Sequence, residues 1–200
     1  MIKENYRITL ERRLKGLSPA STETIQEVIK YCDAHLGLYR VRDLIRVIAN
    51  TGMTNVEFGS LLVSSINAED KMLFAGEGRA SKHAKRFLPL GPKTVAALMS
   101  LHQLNPGSLF VLGDVPRTQF AYVLAKLRPL FPELSQGRLL MYSVRLNFEY
   151  RLMSTGIPLS IVRYCLGHRD SASLLAHLAL TPEEKLAIVR RNLETFVPEL

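Results

Sequence analysis

Apolar residues recur at helical spacing over most of the chain. Ile25, Val28, Ile29, Cys32 and Leu36 share one face of a 3.6-residue period. They predict a helix over 22–36, capped by Ser21 or Thr22 and stopped by Gly37. Val41, Leu44, Ile45 and Ile48 predict a second helix over 39–50, with Arg42 and Arg46 one turn apart on another face and Gly52 just past its end. Between 61 and 90 the period changes. Three short apolar runs, 61–66, 71–75 and 85–90, are separated by Asn67-Ala68-Glu69-Asp70 and by a Gly-rich basic stretch. They predict a small antiparallel sheet, with Pro89 at an edge or a strand end.

Helical spacing then resumes. Pro92 opens a helix reaching Leu104, which Asn105-Pro106-Gly107 ends, and 109–112 reads as a short strand or extended link. Further helices are predicted on Phe120, Val123, Leu124 and Leu127, and on Met141, Val144, Phe148 and Leu152 up to Gly156. Others run from Pro158 to Gly167 and around Leu174, Leu175 and Leu178. Thr181-Pro182-Glu183-Glu184 forms a capping box before a last helix carrying Leu186, Val189, Leu193 and Phe196. Residues 1–20 are basic (Arg7, Arg12, Arg13, Lys15) and weakly patterned, an arm or a helix. The expected fold class is α+β, mainly α: helices around a small antiparallel sheet, in one continuous domain over 21–200.

Composition supports a packed core. The chain has 200 residues, 47% of them apolar, so disorder is disfavoured. Cys32 and Cys165 lie far apart, and with no export signal visible they read as reduced core thiols. There is no CxxC, so neither a structural zinc site nor any cofactor is expected. No apolar run approaches the roughly 18 residues of a membrane span, so no membrane partner and a cytoplasmic location are expected. Charge adds a functional hint: 26 Lys and Arg against 18 Asp and Glu give +8. Arg supplies 17 of the 26. Guanidinium forks grip phosphate bidentately, so the charge leaves two readings, a merely soluble basic protein or a nucleic-acid binder.

Several local motifs narrow the choice. Residues 154–170 read Ser-Thr-Gly-Ile-Pro, then a short helix, then Leu166-Gly167-His168-Arg169-Asp170. Upstream stand Ile48-Ala49-Asn50-Thr51-Gly52-Met53 and the hairpin end Arg86-Phe87-Leu88-Pro89-Leu90. In this order the motifs resemble the catalytic domain of tyrosine recombinases, the phage-integrase family, over residues 20 to 196. The resemblance implies phosphoryl transfer: a Tyr attacks a DNA phosphodiester, two Arg hold the non-bridging oxygens, and a Lys and His assist.

Several family positions are altered. The first Arg, after Thr-Gly-hydrophobic, is Thr54, which cannot supply a bidentate cation. His-x-x-Arg reads Tyr142-Ser143-Val144-Arg145, keeping only the Arg, while Leu-Gly-His keeps His168. The nucleophile position, nine residues on, holds His177, and no Tyr follows Tyr164. The hairpin Lys is replaced in Gly76-Glu77-Gly78, leaving Lys82 or Lys85 to supply an amine. With the nucleophile, one clamp Arg and one His of a cooperating site altered, the expectation is a degenerate pseudo-recombinase and no enzyme. A recombinase with a site rebuilt around His177 is the lesser alternative.

The resemblance then implies a protein that binds double-stranded DNA as an accessory or regulatory factor, in a bacterial mobile-element or plasmid setting, nucleoid-associated if DNA-bound. Transcription regulation falls within that role. The expected phosphate contacts are Arg79, Lys82, Lys85, Arg86, Arg145 and His168, with Arg42 and Arg46 on the same surface. Each has a plainer reading. Arg145 pairs with Glu149, His168 finishes a helix, the hairpin charges are a solvated loop, and Arg42 and Arg46 are a polar helix face. A module regulating a recombinase through protein contacts is the alternative. Leu186, Val189, Leu193 and Phe196 are expected either to pack on their own domain or to anchor a homo-oligomer or hetero-partner. The family's usual N-terminal domain has no counterpart before residue 52, so a partner, a dimer or a bent site is expected to complete binding.

Overall fold

The computed structural model describes residues 19–76, 84–113, 125, 127, 129–132, 140–154, 157–168, 187–191 and 199–200. Helix α1, Thr22–Ala34, is capped by Ser21, whose hydroxyl accepts from the Thr24 amide at 3.0 Å. It buries Ile25, Val28, Ile29 and Cys32 as the spacing predicts. The helix stops at Ala34, so Leu36, expected on the same face, is fully exposed. Helix α2, Tyr39–Thr51, packs against α1 and against two later helices, α4 (Pro92–His102) and α5 (Leu140–Ser154). That central place explains why it buries Val47 and Ala49 as well as the predicted stripe. Its end at Gly52 is left-handed, with φ +61°.

A one-turn helix, α3 (Asn55–Gly59), follows, and a 3-10 turn at Val63–Ser65 leads into the sheet. Strands β1 (Ile66–Asn67), β2 (Met72–Ala75) and β3 (Arg86–Pro89) form an antiparallel sheet in that order. Leu73 faces Ile66 on one side and Leu88 on the other. Pro89 ends an edge strand, as expected. The first apolar run does not form a strand along its length. Val63 and Val111 instead exchange main-chain bonds with Leu109 and Leu61, and Leu62 bridges Phe110. Residues 109–111 are thus a link pinned to the loop before the sheet.

Helix α6, Leu159–Cys165, completes the set. Cys32 and Cys165 are both buried and free, and burial pushes their thiols up to about 11 and about 12. Ala125 and Leu127 are helical, as are residues 187–191, where Val189 is buried. The helix expected around 174–178, the capping box at 181–184 and the arm at 1–18 lie outside the described residues. Among the described residues no helix is long and apolar enough to cross a membrane. The class is the expected one, mainly helical with a three-stranded antiparallel sheet.

Candidate functional site

Segments far apart in sequence meet at the guanidinium of Arg145, near the start of α5. One terminal nitrogen, Nη1, donates to the carbonyl of Gly52, and Nη2 donates to that of Leu166 at 2.9 Å. Thr54 lies two residues past the first acceptor and His168 two past the second. Arg145 therefore ties together the segments that carry Thr54 and His168, two further family positions beside its own.

Local sequence explains why both carbonyls are in place. Gly52 ends α2 in the left-handed region, and a Cβ there would lie 2.4 Å from the Phe148 ring. The missing side chain lets α5 approach closely enough for Arg145, one turn before Phe148, to reach it. At the other segment, Gly167 is left-handed, at φ +72°. Its amide donates to Tyr164 O at 2.9 Å and that of His168 to Arg163 O at 3.0 Å. This is a Schellman ending, which turns the chain at Leu-Gly-His and aims the Leu166 carbonyl.

A carboxylate joins the assembly. Glu57, 2% exposed, is the third residue of α3 and forms a capping box with Thr54. Its Oε2 accepts from the Thr54 amide at 2.9 Å and from the Thr54 hydroxyl at 3.0 Å. The same oxygen lies 3.7 Å from Arg145 Nη1, while Oε1 lies 2.5 Å from Arg86 Nη1. Arg86 also donates through Nε to the Cys165 carbonyl at 2.7 Å and through Nη1 to Ala84 O at 3.3 Å. Two guanidiniums thus share one carboxylate, out of water. Burial lowers the pKa of Arg145, against the attraction of Glu57. β3 is fastened to α6 once more, the Phe87 amide donating to the Tyr164 hydroxyl at 3.0 Å, and just outside both elements the Ala84 amide donates to Gly167 O at 2.9 Å.

These contacts revise several expectations. Arg86, expected on a DNA face, has a fully buried side chain paired with Glu57. Strand alternation explains it: Arg86 and Leu88 share the inward face. Arg145 is buried as well and turns to Glu57 and two carbonyls rather than forming an ion pair with Glu149. Arg42 bonds Asp33 at 2.9 Å and the buried Asp43 at 2.7 Å, and Arg46 lies 3.9 Å from Asp43. Both are spent within a helix-face network. Lys85 is exposed, with Nζ 6.0 Å from the centre of the Phe74 ring, and His168 is half-buried. Thr54 is half-buried and Tyr142 exposed. Arg79, Lys82, His83, His177, Leu186, Leu193 and Phe196 lie outside the described residues. Glu57 is not among the expected site residues; its legible signal is Thr54-x-x-Glu57, a capping-box spacing. Among the described residues no cluster of His, Cys, Asp and Glu is suited to a metal ion.

The helices around this small sheet, with the Gly52, Arg145 and Leu-Gly-His segments gathered at one place, define the fold of the tyrosine recombinases. No family model matches the sequence, and no curated protein matches it; solved structures do. The Tn1549 transposon integrase in complex with transposon right end DNA superimposes with a TM-score of 0.64 at 13% identity, over 91% of this chain and 67% of that one. XerH site-specific recombinase bound to palindromic difH substrate, in a post-cleavage complex, gives 0.60 at 16%, over 90% of this chain and 52% of that one. The integrase of mycobacterium phage Brujita gives 0.60 at 15%, over 89% of this chain and 57% of that one. The chain therefore spans from about half to two thirds of the length of these structures.

The expectation that the chain is no enzyme is overturned here. Its architecture is that of recombinases, one of them captured after cleavage.

Proposed function

We propose that this chain binds double-stranded DNA as an accessory or regulatory component of DNA recombination, through one recombinase-type domain that begins at residue 21. The observation that carries this reading is the recombinase fold, matched on structures solved with DNA. The charge of +8 fits a polyanionic partner. With Arg86, Arg42 and Arg46 engaged internally, the proposed phosphate contacts reduce to Lys85, Arg79, Lys82 and His168. Arg145 acts as the post that holds the Thr54 and His168 segments together. A bacterial mobile element or plasmid, read in the cytoplasm or at the nucleoid, is the setting that suits such a role.

The double variant Lys82→Glu/Lys85→Glu tests this in an electrophoretic shift series. It is expected to weaken binding uniformly across duplex sequences and to flatten the salt dependence by about one unit of slope per lost phosphate contact. Unchanged binding would refute the hairpin assignment.

The fold itself favours a second reading, a recombinase with a rebuilt site in which His177 takes the nucleophile's position. Incubation with a nicked suicide duplex decides it: a covalent protein–DNA adduct that disappears in His177→Ala supports the reading, and absence of any adduct removes it.

A further inference from the structure

The outer face of the sheet carries residues ill suited to water. β2 and β3 turn Leu73, Ala75, Arg86 and Leu88 inward. An antiparallel sheet with one wet face sets polar residues on it. Here the alternate positions hold Met72, Phe74, Phe87 and Pro89, all half-buried. The register pairs Met72 with Pro89 and Phe74 with Phe87. The two phenyl rings lie 4.8 Å apart, tilted by 32°. Among the described residues neither ring packs on the core. The pair is a short apolar strip that leaves part of each ring to solvent.

A cation stands beside the strip. Lys85, two residues before Phe87, lies on the same side, its Nζ 6.0 Å from the centre of the Phe74 ring. Lys85 is exposed, and it closes a sequence stretch that also holds Arg79, Lys82 and His83. Asp70 accepts from Asn67 Nδ2 at 2.7 Å, in the turn at the other end of β2 from Lys85. The strip is also firmly held. β2 is the central strand, and β3 is tied to α6 by the Phe87 amide on the Tyr164 hydroxyl. Rings fixed before binding lose little freedom when a partner stacks on them.

A partner for this face must offer flat apolar surface and negative charge together. An aliphatic peptide leaves Lys85 unanswered, and an acidic one leaves the rings wet. A nucleotide strand supplies both, a π face on every base and a phosphate at every step. In a duplex the base faces are stacked on one another, so paired DNA does not reach the rings. We propose that Phe74 and Phe87, with Lys85, form a stacking platform for unpaired bases of a DNA strand, such as those in a gap beside duplex. The proposal rests on the DNA-binding reading for its choice of partner, and adds a surface that paired DNA does not use.

The test is fluorescence anisotropy at one salt concentration with two labelled duplexes, one fully paired and one with a short single-stranded gap. One stacked base tightens binding about fivefold or more, so the wild-type chain is expected to favour the gapped duplex by at least that factor. The double variant Phe74→Leu/Phe87→Leu keeps the strip apolar but removes its π faces. It is expected to lose the preference, with binding to paired duplex unchanged. Equal binding of both duplexes by the wild type, or a preference that the variant retains, would overturn the platform and leave the duplex reading standing. Binding of the gapped duplex alone, lost in the variant, would support the platform and contradict the duplex reading. No binding of either duplex overturns both. If the variant does not fold, the wild type decides by photocrosslinking. A 5-iodouracil placed in the gap is expected to crosslink to Phe74 or Phe87, located by mass spectrometry of the digested adduct. Crosslinks only elsewhere, or none, overturn the proposal.

Discussion

A left-handed backbone and a neighbouring ring make Gly52 the least replaceable residue of the site. Any Cβ there meets Phe148 and forces the chain out of a conformation that L-residues avoid. Gly52→Ala is expected to cost about 1–3 kcal/mol, read as a lower urea midpoint at unchanged slope. The two thiols make a second residue-scale prediction. Burial raises both pKa values in the folded state, so the unfolded chain ionises first as pH rises. Their contribution is complete below about pH 9 and declines above it, by up to about 1.4 kcal/mol per pH unit per thiol until the folded thiols ionise. A thiol reagent at neutral pH should label them only at the rate of opening, a rate that rises with denaturant. The burial of Cys32 and Cys165 was legible from their place on apolar faces. That of Arg86 was not, because basic side chains read as surface; strand alternation with Leu88 is the signal that places it inside.

At the scale of elements, the Arg86–Glu57–Arg145 cluster joins α3, β3, α5 and α6. Glu57→Gln leaves two buried guanidiniums without a carboxylate and weakens the cap of α3. The expected loss is about 3–5 kcal/mol by chemical denaturation. Adding Arg86→Met removes one of the stranded cations, so the double variant should recover part of that loss. Strictly additive losses would contradict a shared carboxylate. The helices were the legible part of the fold, because α1, α2 and α5 each keep an apolar face over several turns. Misreadings fell where period alone decides nothing. Leu36 continues the α1 period after the backbone has left the helix at Ala34. The run 61–66 becomes strand only at Ile66; before it, residues 61–63 pair instead with the 109–111 link.

Across the whole molecule, the arrangement that matches recombinases depends on three carbonyl and carboxylate contacts made by one buried Arg145. The motif order that pointed to the fold was legible; the division of its basic residues between interior and surface was not, since charge counts carry no depth. The central claim is that Lys85, with Arg79 and Lys82, binds duplex DNA. Fluorescence anisotropy of a labelled duplex titrated with the full chain across salt concentrations tests it most directly. Two or more phosphate contacts predict that log K falls linearly with log salt at a slope of about −1.8 or steeper. No binding at about 50 mM salt, or an affinity indifferent to salt, would contradict the claim.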